Sequence, residues 1–94
     1  MNTFIVVATF KPNTNMQEVF AVVNEERAQV AVLRSAGQLG FVHLSLARST
    51  VFLEILAADE TQARAVVNSL PMSRWWELDL YPTVEPTLPN QASA

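Results

Sequence analysis

The sequence predicts a small α+β domain in which two helices cover one face of a four-stranded antiparallel sheet. Four segments are rich in β-branched and aromatic residues, which is typical of strands. Two segments between them repeat their apolar residues at helical spacing. The predicted order is therefore β-α-β-β-α-β, and 94 residues are enough for one such domain.

The first strand is predicted at residues 3–10, which are apolar on both alternating faces. Such a strand is expected to be buried on both sides. A turn follows, after which Thr14 or Asn15 can cap a helix. We expect this helix to continue without interruption to about Ala36, where Gly37 supplies a left-handed cap.

The second and third strands are predicted at residues 38–46 and 50–57. Their three-residue connection predicts a hairpin and therefore antiparallel neighbours. Strict alternation divides the second strand into Val42, Leu44 and Leu46 on one face and Leu39, Phe41, His43 and Ser45 on the other.

A second helix is predicted at residues 60–70, capped by Asp59 and ended by Pro71. Its apolar stripe consists of Ala63, Val66, Val67 and Leu70. The last strand is predicted at residues 75–83, with Trp76, Leu78 and Leu80 opposite Trp75, Glu77, Asp79 and Tyr81. We therefore predict one domain at residues 1–83 and an extended tail at residues 84–94.

The helix-free face of this sheet is expected to be both apolar and polar. It would carry Phe41, Phe52 and Trp75 among His43, Glu54, Glu77 and Tyr81. Half of the residues in the chain are apolar and 16% are charged, which is sparse charge for a small monomer. Two such sheets packed face to face, in a homodimer or in a larger assembly of dimers, would cover this face.

Composition excludes several classes of function. The net charge of −3, without a basic cluster, disfavours nucleic acid and anionic membranes as partners. The absence of cysteine removes thiol catalysis and thiolate metal sites, and a single histidine predicts no histidine-rich metal site. Apolar runs are too short for a membrane span, and no signal peptide precedes the first strand. We expect a cytoplasmic protein without a cofactor or metal.

Glu26 is the residue of this sequence that most strongly indicates a function. At 100° per residue it falls one helical turn from both Val23 and Val30, inside an apolar stripe formed by Met16, Val19, Val23, Val30 and Leu33. Its neighbour Glu25 points away from the stripe. A bare carboxylate in an apolar core is prohibitive, so two interpretations of Glu26 remain open. Either it reaches water or pairs with Arg27 or Arg34 at the stripe edge, or it lines a pocket between helix and sheet.

Several segments together resemble the muconolactone delta-isomerase family. They are the helix from Glu25-Glu26-Arg27 through Leu33 to Gly37, the stop at Ser69-Leu70-Pro71, and the acidic strand at residues 76–80. The resemblance spans residues 3–83 and implies a ferredoxin-like fold whose sheets pack face to face in a dimeric α/β barrel. It also implies cofactor-free isomerisation of an unsaturated lactone. Two tryptophan-arginine pairs of the family's second strand are replaced here by Leu39-Gly40 and His43-Leu44. The resemblance therefore predicts the fold more strongly than it predicts the substrate.

The residues themselves allow proton transfer next to a conjugated carbonyl group. Burial would raise the pKa of Glu26 towards the range of a general base, and the same acid could return the proton at another carbon. Arg27, His43 and Tyr81 are donors of a suitable type for the enolate oxygen, although a strand histidine is more often structural. The substrate would be a small hydrophobic carbonyl compound or lactone, bound by Val23, Phe41, Trp75 and Tyr81.

Three classes of function therefore remain. The first is a cofactor-free isomerase or cyclase that acts on a small carbonyl compound, with Glu26, Arg27 and His43 as its catalytic residues. The second is a non-catalytic or ligand-binding dimer of the same fold. The third is a cofactor-free monooxygenase, which the resemblance allows because the superfamily includes such enzymes.

Overall fold

The structure, a computed structural model, describes residues 1–86. Its sheet contains β1 (Asn2–Phe10), β2 (Leu39–Ser45), β3 (Thr50–Ala57) and β4 (Trp76–Thr83), and its helices are α1 (Met16–Ala21), α2 (Val23–Ser35) and α3 (Glu60–Asn68). Short 3-10 helices lie at Leu46–Arg48 and Pro71–Trp75. The strands pair antiparallel in the spatial order β2-β3-β1-β4. The predicted α+β class is confirmed, and this order is compatible with a ferredoxin-like fold.

The core lies between the helices and one face of the sheet. Phe4, Val6 and Ala8 of β1 are buried there against the predicted α3 stripe of Ala63, Val66, Val67 and Leu70. The alternate residues of β1, such as Ile5 and Val7, are only half-buried. The expectation that β1 is buried on both sides is therefore not met within one chain, because the core forms on one face alone. We call the other side the open face.

The first helical segment is broken, whereas the sequence predicted one uninterrupted helix. α1 ends at Ala21 and α2 begins at Val23, with Val22 between them at φ −106° and ψ 14°. β-branched residues are weak helix formers, and this stretch contains three of them close together. The Val22 carbonyl still accepts a hydrogen bond from the Glu26 N–H at 2.9 Å. The helix is therefore interrupted at Val22, whose φ and ψ lie outside the α-helical region, although this hydrogen bond continues the helical pattern across the break.

A bulge in β2 corrects the predicted face of Leu39. Between Leu39 and Val42 the partner strand β3 advances only two residues, so β2 carries one extra residue at this point. As a result Leu39 lies buried on the helix-covered face, on the same side as Val42. Gly40 and Phe41 form the bulge, and the Phe41 N–H donates to Oε1 of Glu54 at 3.4 Å.

The remaining boundaries differ by one or two residues from the sequence prediction. Asp59 caps α3 as expected, accepting a hydrogen bond from the Gln62 N–H at 2.8 Å, but α3 ends at Asn68. Trp75 belongs to the 3-10 helix, so β4 begins at Trp76. Asn15 caps α1, and Gly37 has the predicted positive φ of 73°.

Residues 84–86 have no regular secondary structure, and the rest of the predicted tail, residues 87–94, lies outside the described residues. Within the described part of the chain, the helices are too short and too polar to cross a membrane.

Candidate functional site

A cleft of about 960 Å³ lies between α1–α2 and the helix-covered face of the sheet. Its helical wall includes Met16, Val19, Phe20, Val23, Val30 and Ala31, and its sheet wall includes Phe10, Val42, Leu44, Val51 and Trp76. Leu46, Ser49 and Met72 come from the connections. The charged residues of the lining are Glu26, Arg27 and Arg34. The cleft is therefore an apolar site with one carboxylate.

Glu26 is held in this cleft by a backbone hydrogen bond. Its side chain is half-buried, and its Oε1 accepts a hydrogen bond from the Met72 N–H at 2.9 Å. Burial raises the pKa of Glu26 above its ordinary value of 4.5, and the Met72 hydrogen bond offsets part of this increase. Arg34 does not pair with it, since the Arg34 Nε donates to the Gly40 carbonyl at 3.2 Å. The geometry supports the interpretation of Glu26 as a carboxylate that lines a pocket.

The apolar stripe predicted from the sequence explains how this cleft forms. Met16, Val19, Val23 and Val30 of the stripe all line the cleft, whereas Leu33 is buried in the core. The break at Val22 separates Met16 and Val19 on α1 from Val23 and Val30 on α2. The residues of the stripe therefore pack only partly against the sheet, and Glu26 lies beside the space that remains between them.

The structure divides the predicted site residues into two groups. Val23, Glu26 and Arg27 line the cleft. Phe41 and His43 lie on the open face with their ring centroids 5.0 Å apart, and the register places Tyr81 of β4 on that face as well. Because the sheet separates the two faces, His43 and Tyr81 do not share a site with Glu26 within one chain.

Trp75, the predicted substrate-binding tryptophan, lies outside the cleft lining. It is the last residue of the second 3-10 helix, and the Arg74 guanidinium lies 4.8 Å from its ring centroid. Trp76 lines the cleft instead, where its ring meets the Phe10 ring edge to face, with centroids 6.2 Å apart. The strand pattern places the two tryptophans on opposite faces but does not say which one borders a cavity.

Sequence reasoning missed Phe10, Met72 and Trp76 as site residues. The pairing of Phe10 with Trp76 across β1 and β4 brings both rings to the cleft. Trp76 is 5% exposed, and its indole Nε1 is buried without a hydrogen-bond partner among residues 1–86. The alternation of Trp76, Leu78 and Leu80 indicated its face, but nothing local indicated that its N–H stays unpaired.

The described residues contain no group of three histidine, cysteine, aspartate or glutamate side chains placed to hold a metal ion. No protein-family model matches this chain, and no curated protein is significantly similar to it. The fold and the geometry of the cleft therefore carry the argument for function.

Proposed function

We propose that this chain is a cofactor-free isomerase that binds a small hydrophobic carbonyl compound, such as an unsaturated lactone, in the cleft. In this proposal Glu26 moves a proton on the bound ligand. The observation that carries the proposal is a half-buried carboxylate in an apolar cleft, its pKa raised by burial. An acid whose pKa is raised in this way is better suited than an exposed glutamate both to accept and to return a proton.

The proposed reaction moves a double bond through a dienolate. The ionised Glu26 carboxylate takes a proton from the carbon next to the carbonyl group, and the C–H electron pair delocalises onto the carbonyl oxygen. The protonated Glu26 then returns the proton to the far carbon of the conjugated system, which restores the carbonyl. Because the Met72 N–H occupies one carboxylate oxygen, the second oxygen is left to carry the proton.

Arg27 is the proposed cation for the developing enolate charge. It is exposed, lines the cleft and follows Glu26 directly on α2. A guanidinium keeps its charge at all working pH values, so it can stabilise an oxyanion without transferring a proton. The muconolactone delta-isomerase family, which this sequence resembles, has an acidic-basic pair on its helix that matches Glu26 and Arg27, and this supports the same two residues.

A second candidate function is ligand binding without catalysis. The separation of His43 and Tyr81 from the cleft favours it, because the cleft of one chain then contains neither of these donors. Glu26 would in that case serve to bind a polar group of the ligand. The two candidate functions differ only in whether Glu26 moves a proton on the bound ligand.

We also propose that the open face is the interface of a homodimer, with two sheets packed face to face as in a dimeric α/β barrel. Phe52 is 37% exposed and Tyr81 is 55% exposed on this face. Aromatic side chains of this kind are enriched at protein interfaces. A cytoplasmic location is proposed with it, in keeping with a sequence that contains no cysteine.

Exchange of a ligand proton for deuterium tests the catalytic proposal directly. A panel of β,γ-unsaturated lactones and cyclic ketones is incubated in D₂O with the protein, and NMR follows both the loss of the CH₂ signal next to the carbonyl group and the appearance of the conjugated isomer. We expect exchange with at least one compound, and Glu26→Gln should slow it by about 10²–10⁴-fold. Glu25→Gln, an exposed neighbour, is the matched control and should exchange at the wild-type rate.

The same experiment separates the two candidates. Compounds that bind, as judged by a raised unfolding temperature, but show neither exchange nor isomerisation would favour the ligand-binding function. Exchange at an undiminished rate in Glu26→Gln would contradict the assignment of Glu26.

A further inference from the structure

Trp76 contains a buried hydrogen-bond donor that no acceptor among residues 1–86 satisfies. The indole Nε1 of this residue has no acceptor among residues 1–86, although the side chain as a whole is 95% removed from solvent. Buried polar groups in folded proteins are nearly always paired, so each exception needs a specific explanation. Trp76 lines the same cleft as Glu26, so the unpaired donor belongs to a residue of the candidate ligand site.

We propose that the indole N–H of Trp76 donates a hydrogen bond to the carbonyl oxygen of the ligand and so selects oxygen-bearing ligands over hydrocarbons of the same shape. This inference rests on the proposed function, since it specifies what the cleft recognises. An indole N–H is a donor only, so its partner must be an acceptor. A carbonyl oxygen is an acceptor that an otherwise apolar ligand can bring into the cleft.

The surrounding residues offer little competition for this donor. The Phe10 ring is the nearest aromatic group, at 6.2 Å between centroids and 77° between planes, and an aromatic face is only a weak acceptor. The Glu26 carboxylate does not accept from this nitrogen, which has no acceptor among residues 1–86. The ligand oxygen would therefore meet a donor that no acceptor in the described part of the chain occupies.

The indole nitrogen of Trp76 is buried, so a ligand can reach it only if a neighbouring side chain of the cleft moves. Met72 belongs to the same wall and is unbranched, with a thioether that adapts to irregular spaces. A hydrogen bond to the carbonyl oxygen would also polarise the carbonyl group. This makes the neighbouring C–H more acidic, which is the bond that Glu26 is proposed to break.

The test uses two ligands of nearly equal shape, cyclohexanone and methylenecyclohexane, of which only the first carries an acceptor. Trp75→Phe leaves Trp76 as the single indole of the chain. In ¹⁵N-labelled Trp75→Phe protein we expect the indole proton to move downfield with cyclohexanone and to show no downfield shift with methylenecyclohexane. Occupancy of the cleft is read independently from the labelled methyl groups of Met16 and Met72, which line it, with Met1 as the control.

Trp76→Phe keeps an aromatic ring and removes the donor. We expect wild type to prefer the ketone by up to about tenfold, the usual range for one neutral hydrogen bond, and Trp76→Phe to lose this preference. If Trp76→Phe does not fold, the titration of Trp75→Phe alone decides.

Two outcomes would overturn the inference and leave the carbonyl site intact. In the first, cyclohexanone shifts the Met16 and Met72 methyl signals but not the indole proton. In the second, Trp76→Phe keeps the wild-type preference for the ketone, which would show that the indole N–H does not select it. If neither ligand shifts the methyl signals, the inference and the proposed carbonyl site both fail.

Discussion

Glu26 shows how far a single residue can be understood from sequence. Helical spacing alone placed it between Val23 and Val30 and predicted that it needs either water or a partner. The partner itself was not predictable, because the Met72 N–H comes from 46 positions further along the chain. It is available there because Met72 lies in the first turn of a 3-10 helix, where backbone N–H groups have no partner in the helix.

The raised pKa of Glu26 has a consequence for stability that needs no substrate to measure. A folded-state pKa above the unfolded value means that the folded protein holds this proton to a higher pH. The stabilisation that comes from holding this proton on Glu26 is fully present below the pKa that Glu26 has in the unfolded state. It is lost as the pH rises through the pKa that Glu26 has in the folded state. Glu26→Gln removes this loss, so its free energy of unfolding relative to wild type should increase with pH from about 4.5 upwards.

Denaturant unfolding of wild type and Glu26→Gln between pH 4 and 8 would measure this difference. Glutamine keeps an Oε1 acceptor for the Met72 N–H, so the fold should be retained. Glu25→Gln, which removes an exposed carboxylate from the same helix, is the matched control. Parallel profiles for wild type and Glu26→Gln would contradict a raised pKa.

At the scale of elements, local patterns predicted what local interactions decide. β3 was predicted at its observed limits, and the caps at Asn15, Asp59 and Gly37 were predicted from residue type. The break at Val22 and the bulge in β2 were missed. Three β-branched residues lower helix propensity without fixing where a helix breaks, and the bulge depends on how β2 pairs with β3. Because cleft-lining residues lie on both sides of the break, the helical wall of the cleft was only partly predictable.

At the bulge in β2, the absence of a side chain on Gly40 leaves space for the Glu54 carboxylate. A methyl group at position 40 would overlap the Glu54 carboxylate, which accepts the hydrogen bond from the Phe41 N–H. Gly40→Ala should therefore displace the carboxylate and destabilise the protein by about 1 kcal/mol, the worth of one part-buried hydrogen bond.

The same substitution in a Glu54→Ala background should cost almost nothing, because the displaced group is already absent. Urea unfolding of the four proteins of this double-mutant cycle measures the coupling. Additive costs would show that Gly40 is needed for a reason other than Glu54.

At the scale of the whole molecule, the open face is the largest feature that one chain leaves unexplained. The sequence predicted its mixed character from Phe41, Phe52, His43 and Glu54, and the register places these residues there. What covers the face was not predictable in the same way, because alternation assigns a residue to a side of the sheet but not to a partner.

Phe52→Asp tests the proposed dimer. Phe52 lies opposite both Val7 and His43 near the middle of the open face, so a charge there would be buried without a partner at the interface. We expect light scattering to show a dimer for wild type at micromolar concentration and a monomer for Phe52→Asp. Val32→Asp is the matched control, since Val32 is an exposed apolar residue of α2 and should leave the dimer intact. A monomeric wild-type protein would contradict the proposal.

The pairing of β1 with β4 places Thr3 directly opposite Thr83, where the Thr83 hydroxyl donates to the Thr3 carbonyl at 2.9 Å. Facing positions in antiparallel strands have the Cα separation that a disulfide requires. Because the chain contains no cysteine, Thr3→Cys and Thr83→Cys together would form one cross-link without competing pairings.

This cross-link would close a loop of 80 residues around nearly the whole domain, and the chain-entropy model gives it roughly 4 kcal/mol. Unfolding of the oxidised and reduced forms measures the gain, and equal stabilities would show that the two strands separate at this end. Thr3 lies at the opposite end of β1 from Phe10 and the cleft, so a protein locked in this way should bind cleft ligands with unchanged affinity. It would allow ligand screens at temperatures and solvent concentrations that the natural chain does not survive.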